Sequence, residues 1–502
     1  MKKAGLWKSS LAFFLLLCIL CLIPQPSALA ATDPEIRANA AVLYEMNTGK
    51  TLYEKNAQTR IAPASTTKIM TALLAVEAYE DGRFTLDDMI TAPDDLYFDI
   101  TPDGSTQNIK AGEEMRFEDL MYCMLLASAN ESCNVIASTV EGTVAAFVEK
   151  MNTRAAELGC TGTHFVNTHG MPNEEHYTTA WDLCLIANAA MTHTLFEKIV
   201  STEKWTTHAT NVSPARELRN TNKLLDENSE YYYEFAGGIK TGYTNAAGYC
   251  LVSTATREGV RLLSVVMGAE SVQTEDGRTQ VQSYSESRRL LQWGFASFSY
   301  RTVLRNIELL DEIPILHGNG ADAVPVRPQE DIVAFLDNDI PVESFTRTIT
   351  KYYPTADGEE LTAPVSAGDI LGEVSVYYGG ELLGTVKLVA NRSVELQRLS
   401  LVKEQLHEIL ISKWVKITIA VIAGIFLLYF AFVIRYNIIR RKRKKARREA
   451  ARRRAEELKR QPTTGKSFED IEALYAAPAK KTLEDVEAFY AAPGRRGRNG
   501  GR

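Results

Sequence analysis

Gly248-Tyr249-Cys250-Leu251-Val252-Ser253-Thr254-Ala255 and Val260-Arg261-Leu262-Leu263-Ser264-Val265-Val266-Met267 decide the fold, with Arg257-Glu258-Gly259 as the turn between them. Two apolar runs of strand length, separated by turn residues, predict neighbouring strands. Upstream, Ala41-Val42-Leu43-Tyr44-Glu45 and Thr51-Leu52-Tyr53, separated by Asn47-Thr48-Gly49, read as a hairpin. After Pro63 a helical pattern opens at Ser65 and continues through Ile69, Leu73, Leu74 and Val76, and a helix-rich stretch runs from about Phe117 to Thr194. A helix from Ser283 to Phe298 closes the pattern. Strands, helices and strands in this order predict an α/β domain in which helices cover an antiparallel sheet.

The chain has 502 residues, enough for two or three domains with real cores. Beyond residue 300 the texture changes to short β-rich runs broken by Pro and Gly, such as Asp369 to Tyr378, Gly379-Gly380, and Leu382 to Val389. These predict a small sandwich-like second domain over 301–392. Residues 1–30 read as a signal peptide: Lys2, Lys3 and Lys8, an apolar run from Leu11 to Ile23, and the small-residue site Ala28-Leu29-Ala30. An amphipathic connecting segment is expected at 393–414 and a transmembrane helix at 415–434. Arg435 and the run from Arg440 to Lys445 follow it, and such charge stays on the cytoplasmic side of a membrane. Residues 31–300, the catalytic candidate, and the β-rich domain are then extracytoplasmic, with a basic cytoplasmic tail over 435–502.

That tail carries 21 basic and 9 acidic side chains, so the portion between signal peptide and tail holds a net charge of −22. A surface that acidic excludes nucleic acid as the ligand, because polyanion binding needs a basic face. The tail also holds a 15-residue repeat, Ser467 to Pro478 against Thr482 to Pro493. Each copy has a capping hydroxyl residue, an apolar face and a terminal Pro, which suits bivalent docking to a cytoplasmic protein. Five cysteines remain after the signal peptide (Cys123, Cys133, Cys160, Cys184 and Cys250) and read as buried small apolar residues. On one shared helix, Cys123 and Cys133 would stand about 15 Å apart, beyond disulfide reach.

The chemistry centres on Ser65-Thr66-Thr67-Lys68. Residues i and i+3 share a helix face, so the amine can reach the hydroxyl. A serine needs a base beside it to act as a nucleophile, and a lysine can serve if burial or a second cation lowers its pKa by about three units from ~10.4. Two further motifs follow in order: Ser128-Ala129-Asn130 after an apolar run, and Lys240-Thr241-Gly242 on an expected edge strand.

This trio resembles the signature of penicillin-binding proteins and class A β-lactamases. Phe147 to Asn152, Thr163 to Pro172, Asn220 to Leu225 and Arg289 to Phe295 are similar to one branch, the low-molecular-mass D-alanyl-D-alanine carboxypeptidases. The resemblance implies a β-lactamase/transpeptidase-like catalytic domain with a helical subdomain. It also implies that Ser65 attacks the terminal D-Ala-D-Ala bond of peptidoglycan stem pentapeptides and that β-lactams acylate the same hydroxyl. By the same resemblance Lys68 takes the proton, Ser128 relays one to the departing amine, and Asn130 holds the substrate amide. Lys240, Thr241 and Gly242 bind the terminal carboxylate, the charge of Lys240 helps keep Lys68 neutral, and the backbone N–H groups of Ser65 and Tyr243 form the oxyanion hole. No cofactor or metal is implied.

Two positions depart from the commoner pattern: Ala129 stands where Gly is usual and Tyr243 where His is frequent. Two other readings share these residues. One is a class A-type β-lactamase, which needs a deacylating glutamate between the second and third motifs; Glu149 and Glu157 lie there but in segments similar to the carboxypeptidase pattern instead. The other is a transmembrane sensor of muropeptides or β-lactams that signals through the tail. The histidines form no H-E-x-x-H pattern, and His164, His169 and His176 are expected to pack loops.

Overall fold

The computed structural model describes residues 33–274 and 277–460; the expected signal peptide and the tail repeats lie outside these residues. The described chain divides into two units, the first ending at Gln397 and the second starting at Arg398.

In the first unit, β1 (Ala40–Glu45) and β2 (Lys50–Lys55) form the expected hairpin. A 3₁₀ turn (Ala64–Thr67) leads into α1 (Lys68–Glu80). The short pair β3 (Met89–Thr91) and β4 (Glu114–Arg116) precedes α2 (Phe117–Leu125), α3 (Asn130–Glu141) and α4 (Val144–Glu157). Then come α5 (Ala180–Ala190), α6 (Thr194–Val200), and the pair β5 (Lys204–Thr206) and β6 (Glu217–Arg219). The long strands β7 (Ala236–Thr244), β8 (Gly248–Arg257) and β9 (Val260–Ala269) follow. After the small pair β10 (Ser271–Gln273) and β11 (Thr279–Val281), α7 (Gln282–Ser297) closes the region.

The central sheet is antiparallel, in the order β2-β1-β9-β8-β7, so the strand bearing Lys240 is an edge. Both faces are buried. Ala40, Val42, Val265 and Met267 join the core built on α1 to α6, whereas Ala41, Leu43, Leu262 and Val266 join a second core with Leu290 and Leu291 of α7. Alternate side chains point to opposite faces of a strand, so a strand covered on both sides carries apolar residues at nearly every position. That is why these runs lack a polar alternation.

Three expectations change in detail. The helix beginning at Ser65 is one 3₁₀ turn before it becomes α at Lys68, and the stretch from 158 to 179 contains no helix. Cys123 and Cys133 occupy different helices, α2 and α3. All five described cysteines are free thiols, and Cys160 is only partly buried.

Beyond α7 lie β12 (Phe298–Leu304), β13 (Asp311–Pro314), β14 (Ala323–Pro328), β15 (Ile332–Asp337), β16 (Thr346–Lys351), β17 (Ile370–Tyr378) and β18 (Glu381–Ala390). They make a two-stranded sheet, β12-β15, and a five-stranded one, β13-β14-β18-β17-β16, around an aliphatic core that includes Val326, Leu336, Val374 and Leu388. Phe298 and Phe335 stack at 5.9 Å, and Phe335 belongs to the α7 core, which ties this region to the first.

The second unit consists of α8 (Arg398–Ile411) and α9 (Lys413–Leu458). Ser412 caps α9, its hydroxyl accepting from the Val415 N–H at 3.3 Å. The apolar part of α9 reaches a mean hydropathy of 2.8 over 18 residues, so this helix is long and apolar enough to cross a membrane. The helix runs on past the expected span end at residue 434, to Leu458. The basic segment continues as helix, because Ala, Arg, Lys and Glu are strong helix formers.

Candidate active site

Close backbone approach builds the site. A Cβ on Gly242 of β7 would stand 3.1 Å from the Ser65 nitrogen and 3.2 Å from the Pro63 oxygen. On Gly170, where φ is +91°, it would stand 1.8 Å from the Ala64 oxygen. Glycine at both positions lets the edge strand and the 167–171 loop close around the 3₁₀ turn. Ala64 itself has φ +48° and Ser128 has φ +62°. Such conformations cost non-glycine residues free energy and collect at functional sites.

Lys68 is fully buried, and its Nζ has three neighbours: Ser65 Oγ at 3.0 Å, Asn130 Oδ1 at 2.6 Å and the His169 carbonyl at 2.7 Å. The two carbonyl-type oxygens only accept, whereas the hydroxyl can also donate. A neutral amine has two N–H donors and one lone pair. Protonated, Lys68 donates to all three neighbours; once neutral, it keeps donating to Asn130 and His169 and turns its lone pair to the Ser65 O–H. Burial lowers the Lys68 pKa to about 8, against smaller opposing effects of Cys133 and Glu131. Lys240 is also buried, and its pKa falls to about 7, first by burial and then by the charge of Lys68. Desolvation comes first for both amines, and for Lys68 the charge of Lys240 is not among the causes.

Lys240 Nζ donates to the Thr241 carbonyl at 3.1 Å, and Thr241 Oγ1 donates to Thr221 Oγ1 at 2.7 Å. Thr221 thereby joins a motif residue although it belongs to none. Ser128 is buried on the turn ahead of α3, two residues before Asn130, whose N–H donates to the Ser105 carbonyl at 2.9 Å. Tyr243 is 52% exposed, packs on Tyr249 at 4.3 Å and donates its hydroxyl to Asn245 Oδ1 at 2.9 Å. The structure therefore gathers Ser65, Lys68 and Asn130 into one hydrogen-bonded cluster and brings Gly242 against it. Glu149 and Glu157 do not join: both are exposed on α4, and Glu157 pairs with Arg154 at 3.0 Å.

Two histidines do more than pack loops. His176 Nδ1 accepts from the Val166 N–H at 3.0 Å, so its Nε2, 2.8 Å from Thr67 Oγ1, carries the proton and donates. It thus braces the turn that holds Ser65. Burial holds both His169 and His176 down at about 3, so both rings are neutral. Periodicity could not have assigned these parts. For His169 the signal was the similarity of the stretch from Thr163 to Pro172, and His176 lies beyond it.

The profile of the family described as D-alanyl-D-alanine carboxypeptidase matches residues 27–271, and that of the penicillin-binding protein 5 C-terminal domain matches residues 318–396. D-alanyl-D-alanine carboxypeptidase DacA of Escherichia coli K12 is 31% identical over 72% of this chain and 84% of its own. DacF of Bacillus subtilis 168 is 28% identical over 76% of this chain and 93% of its own. Penicillin-binding protein 5 of Haemophilus influenzae superposes with a TM-score of 0.52 at 28% identity, covering 72% of this chain and 99% of that one. Neither the sensor nor the β-lactamase alternative is favoured by these similarities. With a half-buried serine against a buried lysine amine at its centre and relatives of this kind along most of its length, the chain belongs to the D-alanyl-D-alanine carboxypeptidase family of penicillin-binding proteins.

Proposed function

We propose that this chain is a serine D-alanyl-D-alanine carboxypeptidase that removes the terminal D-alanine from peptidoglycan stem pentapeptides through an acyl-enzyme on Ser65. The observation that carries the reading is the buried Lys68 amine 3.0 Å from Ser65 Oγ, whose two other neighbours only accept, so that its neutral form turns the lone pair to the Ser65 hydroxyl. Ser65 Oγ attacks the carbonyl of the penultimate D-alanine while its proton passes to Lys68 Nζ. The backbone N–H groups of Ser65 and Tyr243 receive the developing oxyanion, where one donor is worth roughly 2.7–4 kcal/mol. The C–N bond then breaks, Ser128 passes a proton to the departing D-alanine nitrogen, and water hydrolyses the ester. Asn130 orients the substrate amide, and Lys240, Thr241 and Gly242 hold the terminal carboxylate. The strained lactam of a β-lactam enters the same acylation.

The catalytic domain in this reading spans 31–300 and the β domain 301–392, both outside the cell membrane. The signal peptide directs export, α9 crosses the bilayer over 415–434, and the tail is cytoplasmic, its two repeats docking a protein there. The basic run after the span supports this orientation. A tag at Arg502 that external protease removes from intact cells would overturn the topology. Mass spectrometry of the full-length protein after incubation with penicillin tests the nucleophile. One adduct is expected, on the peptide containing Ser65; an adduct elsewhere refutes the assignment.

A further inference from the structure

Asn130 has a second neighbour, from outside the three motifs. Its side chain is buried, and its Oδ1 stands 2.6 Å from Lys68 Nζ, which donates whether charged or neutral. The carbonyl oxygen therefore faces the lysine, and the amide nitrogen faces the other way. There Nδ2 donates to Met171 Sδ at 3.5 Å. A Cβ on Gly104 would come 2.7 Å from the same nitrogen, so the amide is held between Gly104 and the thioether.

The loop that carries the thioether is fixed by its own bonds. Asn167 Nδ2 donates to the Met171 carbonyl at 3.0 Å, the Met171 N–H donates to His169 Nδ1 at 3.2 Å, and the Gly170 N–H donates to Asn167 Oδ1 at 2.8 Å. A thioether is only a weak acceptor. It orients Nδ2 without tying up the N–H that, in the reading above, goes to the substrate amide.

Met171 is also open to chemistry. Among the described methionines only Met46, Met89 and Met171 are not buried, and of these three only Met171 is hydrogen-bonded to a motif residue. A peroxide turns a thioether into a sulfoxide. The sulfur lone pair attacks one peroxide oxygen, the O–O bond breaks, and the departing hydroxide takes that oxygen's proton and leaves as water. Sulfur loses two electrons and the peroxide gains them. The apolar side chain becomes polar. An oxygen added to the lone pair that faces Nδ2 enters a gap of 3.5 Å, of which an N–H···O contact alone takes about 2.9 Å. The amide has to shift, and its Oδ1 then leaves Lys68 Nζ. We propose that Met171 is an oxidation site, at which a peroxide reversibly slows the acylation of Ser65 by displacing Asn130. This modification rests on the acyl-enzyme reading above and adds control to it.

The test treats the full-length protein in detergent with hydrogen peroxide. It follows the rate of acylation by a fluorescent penicillin and, by mass spectrometry, the oxygen gained by each methionine peptide. Acylation should fall by about tenfold to a hundredfold, the cost of a misplaced catalytic group, in step with sulfoxide on the Met171 peptide. Methionine sulfoxide reductase should restore it. Dithiothreitol alone, which reverts disulfides of the free thiols but not a sulfoxide, should not. Met171→Leu has no sulfur at this position, so its acylation, whatever the starting rate, should not respond to peroxide. Met89→Leu, which removes the exposed thioether of β3, should respond as the parent does. The reductase arm uses the unaltered chain and decides the matter even where a variant does not fold. Sulfoxide at Met171 with acylation unchanged, no sulfoxide at Met171 once Met89 is oxidised, or an equal loss in Met171→Leu would overturn the oxidation site. No penicillin adduct on the untreated protein would overturn the acyl-enzyme reading and the oxidation site with it. An adduct without D-alanine release from a D-Ala-D-Ala peptide would overturn the carboxypeptidase reading alone.

Discussion

The molecule contains two five-stranded antiparallel sheets, and they treat polar groups in opposite ways. Around the β2-β1-β9-β8-β7 sheet the chain buries Lys68, Lys240, Glu131, Asp182, Asn130, His169 and His176. Around β13-β14-β18-β17-β16 it buries only apolar side chains; among the described residues, no buried polar or charged side chain lies beyond Ser297. Burying a charge or an unpaired polar group costs free energy, so a region that does so repeatedly holds those groups for chemistry. The difference places the groups equipped for chemistry around the first sheet without reference to any motif.

Single substitutions can break this division, and the largest effect is expected at Ser65. Ser65→Ala should lower D-alanine release by about 10⁴-fold or more, measured as kcat of the full-length protein, with its thermal midpoint little changed. Residual release within tenfold of the parent would place the nucleophile elsewhere. Lys68→Arg keeps a cation that stays protonated, and loss of a general base costs about 10²–10⁴-fold; stopped-flow acylation by a fluorescent penicillin reads it. Near-parental acylation would remove the base role.

The other sheet should answer in stability instead. Leu388→Ala empties a fully buried position of the β core and should cost about 2–5 kcal/mol in chemical denaturation. The acylation rate per folded molecule should not change. A parallel fall in acylation would mean that the β region shapes the site.

The smallest effects concern pH and sharpen the same contrast. His169 and His176, at about 3 in the folded state, return to roughly 6.5 when unfolded. The unfolded chain then binds more protons between these values, so the stability they contribute is complete above about pH 6.5 and is lost as pH falls towards 3. Melting temperatures taken from pH 7.5 down to 5 should decline, and an increase would contradict neutral buried rings. Acylation should rise with pH across the region of about 7 to 8, where the Lys68–Lys240 pair gives up a proton. A flat profile from pH 6 to 9 would show that no amine of this pair limits the step. The β region buries no titrating group that could produce either trend.

Most of the architecture was readable in residue patterns that depend on near neighbours. Runs such as Leu251 to Ala255 and Val260 to Met267 carry strand length and two-sided burial in their composition. The change of texture after residue 300 marks the second sheet, and an 18-residue uncharged run marks the candidate span. The i, i+3 spacing of Ser65 and Lys68 already puts hydroxyl and amine on one face, and the order of the three motifs points to the family.

What the tertiary structure alone decided depends on groups distant in sequence or on backbone conformation. No local pattern says that the His169 carbonyl, 101 residues away, is the second acceptor for the Lys68 amine. None says that Ala64 and Ser128 have positive φ, or that Thr221 meets Thr241. Sequence by itself determined which residues are chemically able to act. Folding decided which of them are dehydrated together, and desolvation lowers the pKa of Lys68 towards neutrality so that it can take a proton from Ser65.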